Sequence, residues 1–337
     1  MRLVAVRVIA FLLPVVCLAQ GPTIGVIQIY GNHRVPEVEI RKVLEVHEGG
    51  TLPKSKGDIE DRLAEMENIV SATLFAACCD DRKTILYVGV EEKGGPHFDF
   101  NSEPASNEVS LPPELARAYA AFLNAASEAA RTGEIGEDLS QGHSLMANAK
   151  VRYIQLGFVV LADEHGPILR KVLHECADAE QRAIAAYILG YARDKSSVQD
   201  DLQYALRDPD DTVRANALRA LGAFAVYAAK RPDSNLKVSP TWLIEMLNSL
   251  VWTDRNNAAV ALVTLTEKRD PSAIGQLRSR ALPSLIEMAR WKHLPHALPA
   301  FILVGRIADV PEDQLQEAWN KELREPILKR ALSSGKK

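Results

Sequence analysis

Three cysteines outside the apolar N-terminus are the residues best suited to covalent or metal chemistry: Cys78, Cys79 and Cys176. An odd number of cysteines is not a disulfide framework. Adjacent cysteines rarely bond to each other, because the small ring strains the peptide. No CxxC spacing and no nearby histidine pattern accompanies the three, which disfavours a metal site. We therefore interpret Cys78 and Cys176 as small core residues.

A second cluster lies in residues 133–143, here called the polar loop. Its side chains with acid, base or hydroxyl groups are Glu134, Glu137, Asp138, Ser140 and His143. Irregular polar loops often carry sites, but no paired base is recognisable there. His293 and His296 flank a Leu-Pro pair and are the alternative candidate for a metal-binding pair. The sequence contains no GxSxG, HExxH, Walker or GxGxxG motif, so we expect no catalytic residue, no metal, no cofactor and no enzyme activity.

Residues 1–19 have the pattern of an export signal. Arg2 and Arg7 give a positive start, Val8 to Leu18 is an apolar run, and small residues occupy the positions that a signal peptidase reads. We expect cleavage after Ala19. Two alternatives are a lipoprotein acylated at Cys17 and a retained membrane anchor. With cleavage, no apolar run long enough for a transmembrane helix would remain, and the chain would be periplasmic or secreted.

The charge balance disfavours nucleic acid as a partner. The net charge is −4, and removal of the two arginines with the signal would leave it near −6. Phosphate contacts need clustered cations, and no Lys/Arg-rich block is present.

Residues 23–92 have the pattern of a small α+β domain. Residues 24–30 are rich in β-branched residues and end at Gly31-Asn32, where a turn needs positive φ. Two amphipathic helices follow, then a short strand over residues 73–78 and a strand over residues 84–91. Leu86, Val88 and Val90 share one face of the last strand. The predicted order is β-α-α-β-β, with two helices covering one face of the sheet.

This region resembles a POTRA (polypeptide-transport-associated) domain. The likeness is carried by residues 27–35 (IQIYGNHRV), by Ile40, Leu44, Gly50, Leu63 and Phe75, and by residues 86–92 (LYVGVEE). Residues 76–79 (AACC) depart from it, because the family usually has a longer alternating second strand. The resemblance implies that an extended peptide can add to the edge of the sheet.

Residues 93–113 are rich in Gly, Pro and Ser and are predicted to be a linker with few backbone hydrogen bonds. Residues 114–166 are predicted to form a helical hairpin that ends at His165-Gly166-Pro167. Residues 167–332 are predicted to form an all-α solenoid of paired helices. Residues 178–190 align with residues 210–222 at an offset of 32, and further copies follow at offsets of 44 and 39.

The solenoid pattern resembles HEAT-like repeats, in particular those of phycobilisome-lyase-like proteins. Residues 182–186 (RAIAA) and 213–218 (VRANAL) carry the likeness, with small alanines at helix contacts and leucines in the shared core. We interpret Asp178 and Asp210 as helix caps and expect Arg182 and Arg214 to bond to the next repeat's turn. The four tryptophans are interpreted as core residues rather than as an aromatic rim.

These features predict an exported scaffold that binds a polypeptide through a sheet edge, a helical-repeat surface or both. The candidate edge is residues 73–77 (Thr73, Leu74, Phe75, Ala76 and Ala77), since this strand is predicted to be the shortest. Leu74 and Phe75 would shape a neighbouring pocket, unless residues 93–100 already cover the edge. A lyase-like or enzyme-accessory function is the alternative and would use Cys176. A scaffold that only self-associates is a third.

Overall fold

The computed structural model describes residues 22–80, 83–234 and 236–333. The predicted signal, residues 1–19, lies outside the described residues.

The N-terminal region is a three-stranded sheet with two helices on one face. Its elements are β1 (Ile24–Tyr30), α1 (Glu37–Leu44), α2 (Lys56–Ala64), β2 (Ile69–Asp80) and β3 (Lys83–Glu92). The strand order is β1-β3-β2, with β1 parallel and β2 antiparallel to β3. The predicted β-α-α-β-β order is therefore confirmed. The apolar stripe of α1 and α2 packs against Leu86, Val88 and Val90, as their two-residue spacing predicts.

Two local features hold the turn after β1. Gly31 has a φ of 83°, so its predicted positive φ is confirmed. The carboxylate of Glu92, at the end of β3, is 2% exposed and accepts hydrogen bonds from the backbone N–H groups of Arg34 and Val35 at 2.8 and 2.7 Å. These bonds tie the start of the domain to its last strand.

Strand β2 is longer than predicted. It spans 12 residues and is the longest strand described, so the expectation of a short strand over residues 73–78 is wrong. Asn68 turns the chain out of α2 with a φ of 71°, and pairing with β3 begins directly at Ile69 opposite Glu92. Residues 76–79 (AACC) lack an apolar-polar alternation, so the sequence pattern does not show how far the strand extends.

The remaining described chain is mostly helical. Its helices are α3 (Pro113–Arg131), α4 (Ala149–Glu175), α5 (Ala179–Leu189), α6 (Gln199–Ala205), α7 (Asp211–Lys230), α8 (Thr241–Met246), α9 (Trp252–Leu265), α10 (Pro271–Gln276), α11 (Leu282–Ala289), α12 (Leu294–Ile307), α13 (Glu312–Asn320) and α14 (Arg324–Ser333). A two-residue ladder, β4 (Glu137–Asp138) with β5 (Leu145–Met146), lies between α3 and α4. A 3-10 turn covers Pro232–Ser234, and a π-helical turn, Leu277–Ala281, joins α10 to α11.

The predicted helix pairs are present: the second half of α4 with α5, α6 with α7, α8 with α9, and α11 with α12. The predicted helix end at His165–Pro167 is wrong, because α4 runs through Pro167 for 27 residues. Its buried stripe continues from Phe158 and Ala162 to Leu169 and Leu173. This continuous packing outweighs the backbone hydrogen bond that proline removes.

A ladder of buried arginines joins successive repeats. Asp178 and Asp210 cap α5 and α7 through their side chains, as predicted. Arg182 forms a two-pronged ion pair with Asp208 in the next repeat's turn, with N···O distances of 2.8 and 2.9 Å. Arg214 pairs with Asp254 of the following repeat, which confirms the structural interpretation of these residues.

The second face of the sheet is also buried, because it packs on the helical repeats. Tyr30 and Tyr87 project from this face and are both fully buried. The Tyr87 ring stacks on Trp252, with ring centroids 4.6 Å apart, and lies against Trp291 at 5.2 Å. The backbone N–H of Gly31 donates to Glu287 at 2.7 Å. Trp252 and Trp291 are therefore core residues, as interpreted, but they belong to a core shared between the sheet and the repeats.

Residues 93–113 are a strap bound to the repeats rather than a linker with few hydrogen bonds. The N–H of Asn101 donates to the carbonyl of Arg207 at 2.7 Å, and Ser106 exchanges backbone bonds with Glu175 and Ala177 at 3.0 and 2.9 Å. Phe98, Val109 and Leu111 of the strap are buried. The prediction failed because composition reports a segment's own preferences, whereas here the hydrogen-bond partners come from distant repeat turns.

Candidate binding surface

The two edges of the sheet differ in what covers them. At β1, Ile24 exchanges backbone hydrogen bonds with Gly49 and Gly50 at 2.7 and 2.8 Å, and Glu48 accepts from the N–H of Ile27 at 3.1 Å. Residues 48–50 therefore close this edge. The described residues place no fourth strand on β2, and the strap binds the repeats instead of covering this edge.

The outward backbone groups of β2 can be located from one side-chain contact. The N–H of Leu74 donates to Glu60 of α2 at 2.5 Å, so it points away from β3. Outward and inward N–H groups alternate along an antiparallel strand, and the register between Ser71 and Ala77 is regular. The N–H of Ala76 therefore also points outward, and no hydrogen bond among the described residues uses it. On this stretch of β2 the outward N–H of Leu74 is therefore bonded to Glu60, whereas that of Ala76 has no partner among the described residues.

The five candidate edge residues do not form one pocket. The side chain of Leu74 is buried among the α1 and α2 residues, whereas Ala77 is buried against the repeats. Phe75 is 37% exposed and stacks on Trp252 with a centroid distance of 5.0 Å. Leu74 and Phe75 thus lie on opposite faces of the sheet, and the expectation that both shape one pocket is wrong. Thr73 is half-buried and Ala76 is exposed.

A groove of about 390 Å³ runs between α7 and α9 on the helical repeats. Its lining is Glu137, Leu139, Ala215, Asn216, Leu218, Arg219, Gly222, Val226, Asn257, Val260, Ala261 and Thr264. Val260 is 53% exposed at the groove, and Arg219 is the one cation of this lining. Sequence reasoning did not single out Arg219, since it occupies an ordinary helix position in the repeat.

Glu137 of the polar loop forms an ion pair with Arg219 in this groove. The Nε atom of Arg219 is nonetheless buried without a hydrogen-bond partner in the described structure. Burial lowers the pKa of Arg219 from its ordinary value. The groove therefore presents a partly desolvated cation whose hydrogen-bonding capacity is not filled.

Other members of the polar loop have structural partners. Glu134 accepts from Asn148 at 3.0 Å. Asp138 accepts from the N–H of Ser140 at 2.9 Å and lies 3.5 Å from Arg152. Among the described residues, no group of three metal-ligating side chains occurs.

The histidines also serve packing. His143 lies against the Tyr191 ring at 5.4 Å. His296 lies beneath the sheet, where its Nδ1 atom is 2.5 Å from the Tyr87 hydroxyl, and its ring is 4.3 Å from that of His293. The His293 ring thus packs on a His296 ring whose Nδ1 atom is within hydrogen-bond distance of the Tyr87 hydroxyl.

The cysteine interpretation holds for one residue and fails for another. Cys176 is a free thiol, 2% exposed, directly beneath Ser106 of the strap. This burial is poorly suited to the chromophore attachment that a lyase-like function would need. Cys78 is exposed and disulfide-bonded, so its interpretation as a core thiol is wrong. It lies on the exposed part of β2, beyond Ala77.

Comparison with known proteins identifies the repeats. Residues 166–263 match the model of HEAT repeats, a span that covers the end of α4 through most of α9. No curated protein matches the chain. HEAT repeats are generally protein-interaction scaffolds, and stacked repeats provide extended binding surfaces. In the part of the chain that the structure describes, no helix combines the length and apolarity needed to cross a membrane.

Proposed function

We propose that this chain is an exported, non-enzymatic scaffold that binds an extended polypeptide by strand addition to β2. The observation that carries the proposal is the difference between the two sheet edges. β1 is closed by residues 48–50, whereas β2 presents the outward N–H of Ala76 beside the exposed ring of Phe75. A guest strand would satisfy these backbone groups without requiring a particular sequence.

The resemblance of residues 23–92 to a POTRA domain supports this proposal, because a peptide can add to the sheet edge in that family. Docking of the sheet supports it further. Tyr87 and Phe75 both stack on Trp252, so the helical repeats hold the edge in one place. A rigid, preformed edge loses less conformational entropy when a guest strand binds.

The proposed location is the bacterial envelope, with the chain periplasmic or secreted after cleavage behind Ala19. This part rests on the basic, apolar and small-residue pattern of residues 1–19. The partner would then be a polypeptide of the same compartment.

Site-specific photocrosslinking in the native envelope tests the proposal. A photoreactive side chain at Ala76 should capture a polypeptide, and the same group at Tyr153, which is 81% exposed on α4, should not. Mass spectrometry would identify the partner and the crosslinked segment. Equal capture from both positions, or capture of no polypeptide at Ala76, would overturn the proposal.

Ala76→Pro provides a second, structural test. Proline removes the outward N–H and leaves the bonds between β2 and β3 intact, so an edge position should tolerate it. The variant should retain the far-UV circular dichroism of the parent and lose binding of the identified partner. Ala72→Pro serves for comparison, because the N–H of Ala72 also points outward but lies nearer the start of the strand. This variant should reduce partner binding less than Ala76→Pro does. Undiminished partner binding by folded Ala76→Pro would exclude strand addition at this position.

A further inference from the structure

Arg219, whose side chain is 37% exposed, differs from the buried arginines of the repeats in how its hydrogen-bonding groups are used. Arg182 binds both oxygens of Asp208 and donates to the carbonyls of Cys176 and Ala177. Arg214 likewise combines a carboxylate with two backbone carbonyls. The guanidinium groups of these arginines donate to acceptors that belong to the repeats themselves. A structural role is sufficient to explain them.

Arg219 has a different environment. Its partner is Glu137, which comes from the polar loop rather than from a repeat, and its Nε remains buried without an acceptor. The guanidinium group prefers two parallel bonds to a carboxylate. The site therefore has the hydrogen-bonding capacity for a carboxylate, together with an apolar wall that includes Val260 and Ala261.

We propose that the α7–α9 groove is a binding subsite for an acidic side chain of a polypeptide, with Arg219 as the carboxylate receptor. Glu137 occupies this receptor in the unliganded protein and is displaced by the guest. Leu139, two residues later in the same loop, also lines the groove. The polar loop thus places in the groove the kind of side chains that a guest would provide, a carboxylate followed two residues later by an apolar side chain.

The lining also limits the class of ligand. Arg219 is its one cation, and Asn216 and Asn257 are neutral amides. A nucleic acid or another polyanion would need several clustered cations. One carboxylate beside apolar residues matches the site, although the whole chain carries a net charge of −4. This inference takes from the proposed function that the ligand is a polypeptide, but it does not depend on strand addition at β2.

A peptide copied from the loop tests the subsite directly. The probe is the acetylated and amidated segment of residues 135–140 (IGEDLS), titrated against the full mature chain by calorimetry. The loop is tethered beside the groove and acts at high effective concentration, so it should suppress peptide binding in the parent protein. Glu137→Ala should strengthen binding about tenfold, since it removes a competing carboxylate that the tether holds at high effective concentration beside Arg219.

Matched variants separate the subsite from general charge effects. Asp138→Ala removes a neighbouring carboxylate that faces Arg152, outside the groove, and should leave peptide binding at the parent level. In the Glu137→Ala background, both Arg219→Gln and a peptide with Gln in place of its first acidic residue should return binding to that level. Gly222 also lines the groove, and a Cβ added there would have only Ala261 as a neighbour, at 4.0 Å. The protein can therefore accommodate Gly222→Leu, whose side chain should occupy the groove and block the peptide.

Stronger peptide binding by Glu137→Ala that is lost with Arg219→Gln would support the subsite. If Glu137→Ala binds no more peptide than the parent, or if the Gln peptide binds equally well, the subsite is refuted. Circular dichroism and urea unfolding of each variant would show whether the protein remains folded. Ala76→Pro should leave the loop-peptide titration unchanged, so failure of strand addition and failure of the groove are distinguishable.

Discussion

The hydroxyl of Tyr30 donates a hydrogen bond to the carbonyl of Leu250 at 2.7 Å, which joins the first strand to the third repeat's turn across 220 residues of sequence. Gly89 of β3 lies directly beside this bond. A Cβ added at Gly89 would meet the Tyr30 hydroxyl at 2.6 Å and the Leu250 carbonyl at 2.7 Å. The close approach of sheet and repeats therefore requires glycine at this position.

Gly89→Ala should destabilise the protein by about 1–3 kcal/mol, because the methyl group forces the sheet away from the repeats. Urea unfolding followed by circular dichroism would measure the change. Gly57→Ala is the matched control, since Gly57 lies in α2 with no atom near an added Cβ. It should stabilise the protein by up to about 1 kcal/mol. Equal effects of the two substitutions would contradict the proposed packing.

The sheet illustrates how far sequence patterns reach. The spacing of Leu86, Val88 and Val90 predicted one buried face correctly, because period-two alternation is a local signal. The same strand carries Ile85 and Tyr87 on its other face, both nearly or fully buried. A nearly continuous apolar strand indicates burial on both sides, and this signal was available. The residues that pack on the second face could not be predicted, since the sequence does not specify which repeat the sheet contacts.

The groove shows a different limit. The sequence marks Glu137 as part of a polar cluster, whereas nothing in the aligned repeat distinguishes Arg219. Their ion pair depends on how the polar loop crosses α7, which no local periodicity encodes. By contrast, the bond from Arg182 to Asp208 could be predicted, because the repeat unit fixes the path from one helix to the next turn.

His143 should make stability depend on pH below neutrality. Burial, and then the nearby Lys195 ammonium, lower the pKa of His143 from 6.5 to about 4. Between those values the unfolded chain binds a proton that the folded chain does not, so stability falls as pH falls. The side chain is partly exposed, and solvent screening reduces the effect to about 1 kcal/mol between pH 7 and pH 5.

His143→Phe keeps an aromatic ring beside Tyr191 and removes the titration. Urea unfolding at pH 7 and pH 5 should therefore show a smaller loss of stability in the variant than in the parent. An identical pH dependence of the two proteins would show that His143 does not titrate differently on folding.

Export can be tested on the purified protein. N-terminal sequencing of the mature chain should begin at Gln20, because Ala19 is the small residue before the expected cut. Mass spectrometry would detect the acyl group of the alternative in which Cys17 is lipidated. Soluble protein that retains Met1 would overturn the export prediction.

In the buried ion pair of Arg214 and Asp254, the loss of stability on replacing the arginine should depend on whether the aspartate is still present. Both side chains are almost fully buried, with an N···O distance of 2.9 Å, and Asp254 also accepts from the Ser249 hydroxyl at 2.7 Å. Arg214→Met should cost about 3–5 kcal/mol, since it leaves a buried carboxylate without its cation. Arg214→Met combined with Asp254→Leu should recover most of that loss. Urea unfolding of both variants would measure the difference.

The pH dependence of Arg214→Met provides an independent check. Burial raises the pKa of Asp254 in the parent protein, while Arg214 opposes this by lowering it. Without Arg214 the pKa of the folded carboxyl rises further above its unfolded value, so the folded state binds the proton more readily. The stability deficit of Arg214→Met relative to the parent should therefore shrink as pH falls from 7 to 5. A deficit that is constant over this range would mean that Asp254 remains ionised, with water or Ser249 replacing the lost cation.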